Sequence, residues 1–77
     1  MEEVVIKIVA DQMKVDPSAI TPDFIMANDD RVDSIDRMEV LMALEQEFDV
    51  AIDDDEVDEN ISVAGLVSLV QEKQSDT

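Results

Sequence analysis

Three stretches of the chain repeat apolar residues at helical spacing, and none alternates as a half-buried strand would. The first runs from Glu2 to about Lys14. Two acids open its first turn, and Val5, Ile6, Ile8, Val9 and Met13 form a broad apolar face. Asp16 and Pro17 close it. The last follows Ser62, which reads as a cap, and runs from Val63 to about Lys73. Val63, Leu66, Val67 and Val70 fall there on the i, i+3, i+4, i+7 rule. Gly65 lies inside it at a cost of about 1 kcal/mol against Ala, which points to backbone approaching backbone. Residues 74 to 77 read as a frayed tail.

The middle stretch, Ser34 to Phe48, differs from the other two because it carries two apolar rows. It has no Gly or Pro and is rich in good helix formers, with Asp33 or Ser34 available as N-cap. At about 100° per residue, Val40, Leu41, Leu44 and Phe48 gather as a core stripe. Ile35, Met38 and Met42 form a second row more than a quarter-turn away. Asp36, Glu39, Ala43, Gln46 and Glu47 lie between the rows on the side facing away from the core. A helix that only packs into its own domain needs one stripe, so the acid-rimmed second row reads as a docking face.

Two connectors join these helices. Val15 to Val32 contains Pro17 and Pro22 and is long for a loop, with Ile20, Phe24, Ile25 and Met26 as anchors onto the core. Asp49 to Asn60 contains the acid run Asp53-Asp54-Asp55-Glu56, suited to open one short helical turn around Val57. With 77 residues the chain makes one small domain, and with only Phe24 and Phe48 as rings its core must be built from Val, Ile, Leu and Met. These features together predict a compact all-α bundle.

Charge and composition remove most classes of function. Twenty-one acids against five bases, a net charge of −16, argue against binding nucleic acid or anionic membranes and point to partners with basic patches. Self-repulsion of that size opposes compaction and is screened by salt. Cysteine and histidine are both absent, which excludes disulfides, thiol chemistry, zinc fingers and imidazole catalysis. The chain opens on Met1-Glu2-Glu3 without a cationic apolar leader, and no apolar run approaches the roughly 20 residues of a membrane span. A soluble, cytoplasmic monomer that is not an enzyme is therefore expected. The EF-hand spacing, which wants Gly at position six and Glu at twelve, fails from Asp29, where Ser34 and Val40 stand there, and from Asp53, where Asp58 and Ala64 do. No dedicated metal site is expected.

Ser34 carries the remaining chemistry. A serine at a helix start ordinarily satisfies free backbone amides and does nothing more. The alternative is a hydroxyl bearing a phosphodiester, whose charge would sit among those amides at the positive end of the helix dipole. Such a site needs no catalytic base within the chain. A tether there would hang beside Ile35 and leave Met38 and Met42 free for partners.

Asp33-Ser34-Ile35-Asp36, then Glu39, then Met42-Ala43-Leu44-Glu45-Gln46-Glu47-Phe48, then Ile52 and the acidic turn resemble an acyl carrier protein. The resemblance spans nearly the whole chain. The Asp-Ser pair alone is weak, but its place at the start of an acidic helix in a chain of this size and charge is specific. The resemblance implies a four-helix bundle with a long first loop and a short third helix. It implies a 4′-phosphopantetheine arm placed on Ser34 by a phosphopantetheinyl transferase from coenzyme A, holding acyl groups as thioesters for enzymes of fatty-acid, lipid or polyketide-type pathways. Asp33 and Ile35 flank that site. Asp36, Glu39, Glu45 and Glu47 would meet basic patches on partner enzymes, and Ile35, Met38 and Met42 would make the apolar contacts. A core opening between Leu44, Phe48, Val63 and Leu66 would shelter the acyl chain.

The chain also departs from the pattern. Carriers of this type have Leu-Gly where Asp30 and Arg31 stand, and Arg31 is then a candidate to neutralise the phosphodiester. Ile35 replaces the usual Leu after the serine, and Met26 replaces the loop Phe, with Phe24 two residues earlier. These changes suggest a specialised member. The nearest alternative is an aminoacyl or peptidyl carrier, and one of a different class is an acidic interaction module that is never modified.

Overall fold

The computed structural model describes residues 1–75, with the backbone alone for Asp54. Three α-helices account for the described regular structure, apart from three single turns of 3-10 helix. They are α1 (Glu2–Met13), α2 (Ser34–Phe48) and α3 (Val63–Ser75). The single turns are Pro17–Ala19, Met26–Asn28 and Asp54–Glu56. Among the described residues there is no strand, only an isolated antiparallel bridge between Ile25 and Ser62. The chain is thus all-α. The acid run forms the single 3-10 turn Asp54–Glu56, ending before Val57, so the described residues show three α-helices and not the four expected of a four-helix bundle.

The first two helices end in the same way, and neither ends at a glycine. Lys14 (φ 61°) and Asp49 (φ 54°) both adopt the left-handed conformation. At α1 the Lys14 amide donates to Asp11 O and the Val15 amide to Ala10 O at 3.0 Å. At α2 the Val50 amide donates to Glu45 O at 3.2 Å. This is the pattern of a Schellman motif, in which the residue after the left-handed one packs back onto the helix. Val15 and Val50 are those residues, and both are half-buried against the core. Helix α1 therefore stops before Asp16 and Pro17 are reached. Helix α3 runs two residues past Lys73, with the Ser75 hydroxyl donating to Gln71 O at 3.0 Å. The expected tail is therefore helical at Gln74 and Ser75, and Asp76 and Thr77 lie outside the described residues.

The core draws on every part of the chain. Val5, Val9 and Ala10 come from α1, Val40 and Leu44 from α2, and Val63, Leu66 and Val70 from α3, while Ile20, Met26 and Ile52 reach in from the connectors. No polar or charged residue is buried among the described residues. Gly65 has a different reason from the one expected: a Cβ there would lie 2.6 Å from Ile61 Cγ1, so a side chain, and not a second backbone, occupies its space.

The long first connector is ordered by α3. The first-turn amides of α3 donate to it, Val63 N to Phe24 O at 2.9 Å and Ala64 N to Pro22 O at 3.0 Å. Orphan amides of a helix start are thus satisfied by loop carbonyls, and the loop gains fixed anchor points shortly before it reaches Ser34. Helix α1 packs against both other helices, while α2 and α3 touch less closely. Between those two a cavity opens.

Candidate functional site

The approach to α2 is set by a reciprocal pair of carboxylates. Asp33 is the N-cap, and its Oδ1 accepts from the Asp36 amide at 2.9 Å while Asp36 Oδ2 accepts from the Asp33 amide at 3.2 Å. This is a capping box made with Asp at its third position, where Glu or Gln is usual. Of the two caps open in the sequence it selects Asp33, which leaves Ser34 as the first helical residue. Ser34 is exposed. Its hydroxyl and the amides of Ser34 and Ile35 have no hydrogen-bond partner among the described residues.

Asp36 is further held by Gln12, whose Nε2 donates to Asp36 Oδ1 at 3.2 Å and also to Glu39. The Asp33 amide foremost, then the Gln12 amide group, keep the Asp36 carboxyl below its ordinary range, with the charge of Lys14 adding to them. Gln12 is the residue that sequence reasoning missed. It ties α1 to two acids of α2 from 24 and 27 residues away, and no local signal announces it. Glu45 is also partly committed, since its Oε2 accepts from the Ile52 amide at 3.2 Å and pins the second connector to α2. Glu47 is exposed.

The second apolar row is open to solvent, with Ile35 at 63%, Met38 at 54% and Met42 at 54% exposure. Exposed large apolar side chains in a cluster mark a surface that is covered some of the time.

Arg31 is engaged elsewhere. Its Nε and Nη2 reach Asp29 Oδ1 and Oδ2 at 3.0 and 2.7 Å, and its amide donates to Asp29 Oδ1 at 2.9 Å. Three bonds to one carboxylate close the turn where the resemblance would place a glycine. The Arg31 guanidinium, followed by its amide, lowers the Asp29 pKa to about 2. A carboxyl acidified by folding stabilises above the ordinary range, and this contribution is lost as pH falls from about 4 toward 2. Arg31→Gln should return the Asp29 titration to the ordinary carboxylate range, read by side-chain carboxyl NMR. A midpoint still near 2 would show that the turn's backbone, and not Arg31, acidifies it.

The cavity beside Ser34 has a volume of about 260 Å³ and is mostly apolar. Ser34, Arg37, Met38 and Leu41 line it from α2, Leu66 from α3, Val57, Asp58, Glu59 and Ile61 from the second connector, and Met26 from the first. Of the four residues expected to line an opening core, only Leu66 does so. Leu44 and Val63 are fully enclosed and Phe48 is half-buried away from the cavity. Met26, standing for the loop Phe, is 4% exposed and forms part of the wall. The structure therefore brings Ser34 and Met38 together with a cavity, turns Ile35 and Met42 outward, and ties Asp36 and Glu39 to α1.

The site offers an unpartnered hydroxyl at the positive end of a helix, with no carboxylate bonded to it to act as a base. Such a hydroxyl is open to modification by an outside catalyst. Among the described residues no cluster of acids is arranged to hold a metal ion, and no helix is long and apolar enough to cross a membrane.

The family described as "Phosphopantetheine attachment site" matches residues 3–70. An acyl carrier protein from Thermosynechococcus vestitus is 41% identical over 66 residues, covering 86% of this chain and 82% of that one.

Proposed function

The chain belongs to the phosphopantetheine-attachment family of acyl carrier proteins, and on that footing we propose that Ser34 bears the arm and that the cavity beside it receives the acyl chain. The protein is a carrier and not an enzyme, and the 4′-phosphopantetheine group supplies the thiol on which acyl groups are held as thioesters. The observation that carries the assignment of Ser34 is its free, exposed hydroxyl at the first position of α2, on the rim of an apolar cavity.

The residues present fit such a group. A phosphodiester on Ser34 would meet the free amides of Ser34 and Ile35 at the helix start, where an anion is favoured. The Asp33 and Asp36 carboxylates are occupied with each other's backbone and leave that position open. Because no base among the described residues is bonded to the hydroxyl, a phosphopantetheinyl transferase would take its proton. That enzyme and the acyl-loading and acyl-transferring enzymes would approach over Ile35, Met38 and Met42, with Glu39 and Glu47 meeting their basic patches. Exposed ion pairs of this kind speed and orient encounter while adding little affinity, which suits a carrier that visits several enzymes. Flexible methionines can repack against different partners. In this reading Asp54–Glu56 is what the chain retains of a third helix, and the protein acts as a cytoplasmic monomer in a fatty-acid, lipid or polyketide-type pathway. The apolar walls of the cavity favour an alkyl cargo over an aminoacyl one.

Incubation with coenzyme A, magnesium and a broad-specificity transferase should add one phosphopantetheine to the intact mass. No gain in a folded sample would overturn the proposal. Once loaded, the protein should melt higher with each methylene of a saturated acyl chain until the cavity is full, at about 0.8 kcal/mol per buried methylene. Identical melting temperatures for short-chain and long-chain forms would show that the chain stays in solvent.

A further inference from the structure

The cations near the site differ in what they do. Arg31 is held by Asp29. Arg37 lines the cavity together with Ser34, is half-buried, and forms no ion pair among the described residues. A half-buried arginine whose guanidinium has no carboxylate partner, in a chain with 21 acids, is an unmet charge. Its neighbours on the opposite wall do not meet it: Asp58 accepts from the Asn60 amide, and Glu59 makes no ion pair with it.

Arg37 stands three residues after Ser34 on the same helix. Residues at that spacing are neighbours, with Cβ atoms roughly 5–6 Å apart. Helical side chains lean toward the N-terminus, so the Arg37 stem points back toward the first turn. An anion attached to Ser34 Oγ would then lie within reach of its donors. Guanidinium is suited to this task, since its planar fork matches two phosphate oxygens at once.

We propose that Arg37, and not Arg31, is the counter-charge of the phosphodiester on Ser34, and that it fixes the root of the arm at the mouth of the cavity. The inference rests on Ser34 being the loaded residue. In the unloaded protein Arg37 holds the rim of the cavity without a partner, and loading supplies the missing anion. The pairing neutralises the new charge at a helix start already flanked by Asp33 and Asp36, and it directs the arm toward Met38 and Leu41 instead of into solvent.

The test compares apo and holo forms of wild type, Arg37→Gln and Arg31→Gln, each first checked by intact mass. In wild type, loading should shift the Arg37 Nε–Hε NMR signal and leave the Arg31 signal in place, because Asp29 holds Arg31 in both forms. Comparing holo with apo within each variant cancels the effect of the substitution itself. Loading should lower the melting temperature of Arg37→Gln relative to its change in wild type and in Arg31→Gln, and roughly half or more of that deficit should vanish when salt screens exposed charge. Equal loading-induced changes in wild type and Arg37→Gln, or a shift of the Arg31 signal alone, would overturn the proposal. Failure of folded wild type to gain the phosphopantetheine mass would instead overturn the carrier assignment of Ser34, and this inference with it.

Discussion

Ser34→Ala is expected to take up no phosphopantetheine while melting at or slightly above the wild-type temperature. The hydroxyl makes no hydrogen bond among the described residues, and the helix is capped by Asp33, so removing it costs no contact. Alanine is the better helix former, and exposed substitutions of this kind stay within about 0.5 kcal/mol. Ser62 provides the contrast. It also begins a helix, yet its Oγ accepts from the Gly65 amide at 3.1 Å and is half-buried, so it serves as an ordinary cap. Two serines at two helix starts thus divide into one that the fold uses and one that it leaves free. Intact-mass measurement with circular dichroism on the same samples reads both halves of the prediction. A mass gain in Ser34→Ala would mean that a different hydroxyl carries the arm.

Leu44→Ala should show the largest loss of stability of any single truncation in α2. Leu44 is fully enclosed, and its contacts come from the core shared by all three helices. Truncating a buried leucine costs about 2–5 kcal/mol, against a total on the order of 5–10 kcal/mol for a domain of this size. In a domain this small each kcal/mol moves the melting temperature by roughly 4–8 °C, so a fall of well over 10 °C is expected. Leu41→Ala is the informative comparison. Leu41 is half-buried and faces the cavity, where truncation widens an existing opening instead of creating one. Its cost should be less than half as large. Urea unfolding of both variants gives the two values, and equal losses would mean that the cavity wall is as tightly packed as the core.

What could be read from the residues, and what could not, follows from the range of the interactions. The two rows of α2 were legible because periodicity is local: Val40 and Leu44 are buried, while Ile35, Met38 and Met42 are exposed, Met38 also bordering the cavity. The same holds for the single turn at the acid run and for the helix start at Val63. Helix ends were less legible. The left-handed caps at Lys14 and Asp49 lack the glycine that usually marks them, and the signal lay instead in the apolar Val15 and Val50 that follow. Residues joined across the fold were not legible. Gln12 acts on Asp36 and Glu39 only because α1 packs beside α2. The cavity is walled by α2, α3 and both connectors together, a relation between distant segments that no wheel shows. Arg31 was a reasonable partner for a phosphate by sequence distance, yet a carboxylate two residues before it takes its guanidinium.

The loop carbonyls that receive the first amides of α3 tie the approach to Ser34 to the order of synthesis. Phe24 and Pro22 obtain their backbone partners from Val63 and Ala64. On the ribosome, a nascent chain that has exposed Ser34 but not yet Val63 would have the serine without the anchored loop that leads to it. Contacts so distant in sequence close late. The hydroxyl is therefore presented in its folded setting only once Val63 and Ala64 have emerged, so the loading proposed for Ser34 should wait for the third helix and not only for the second.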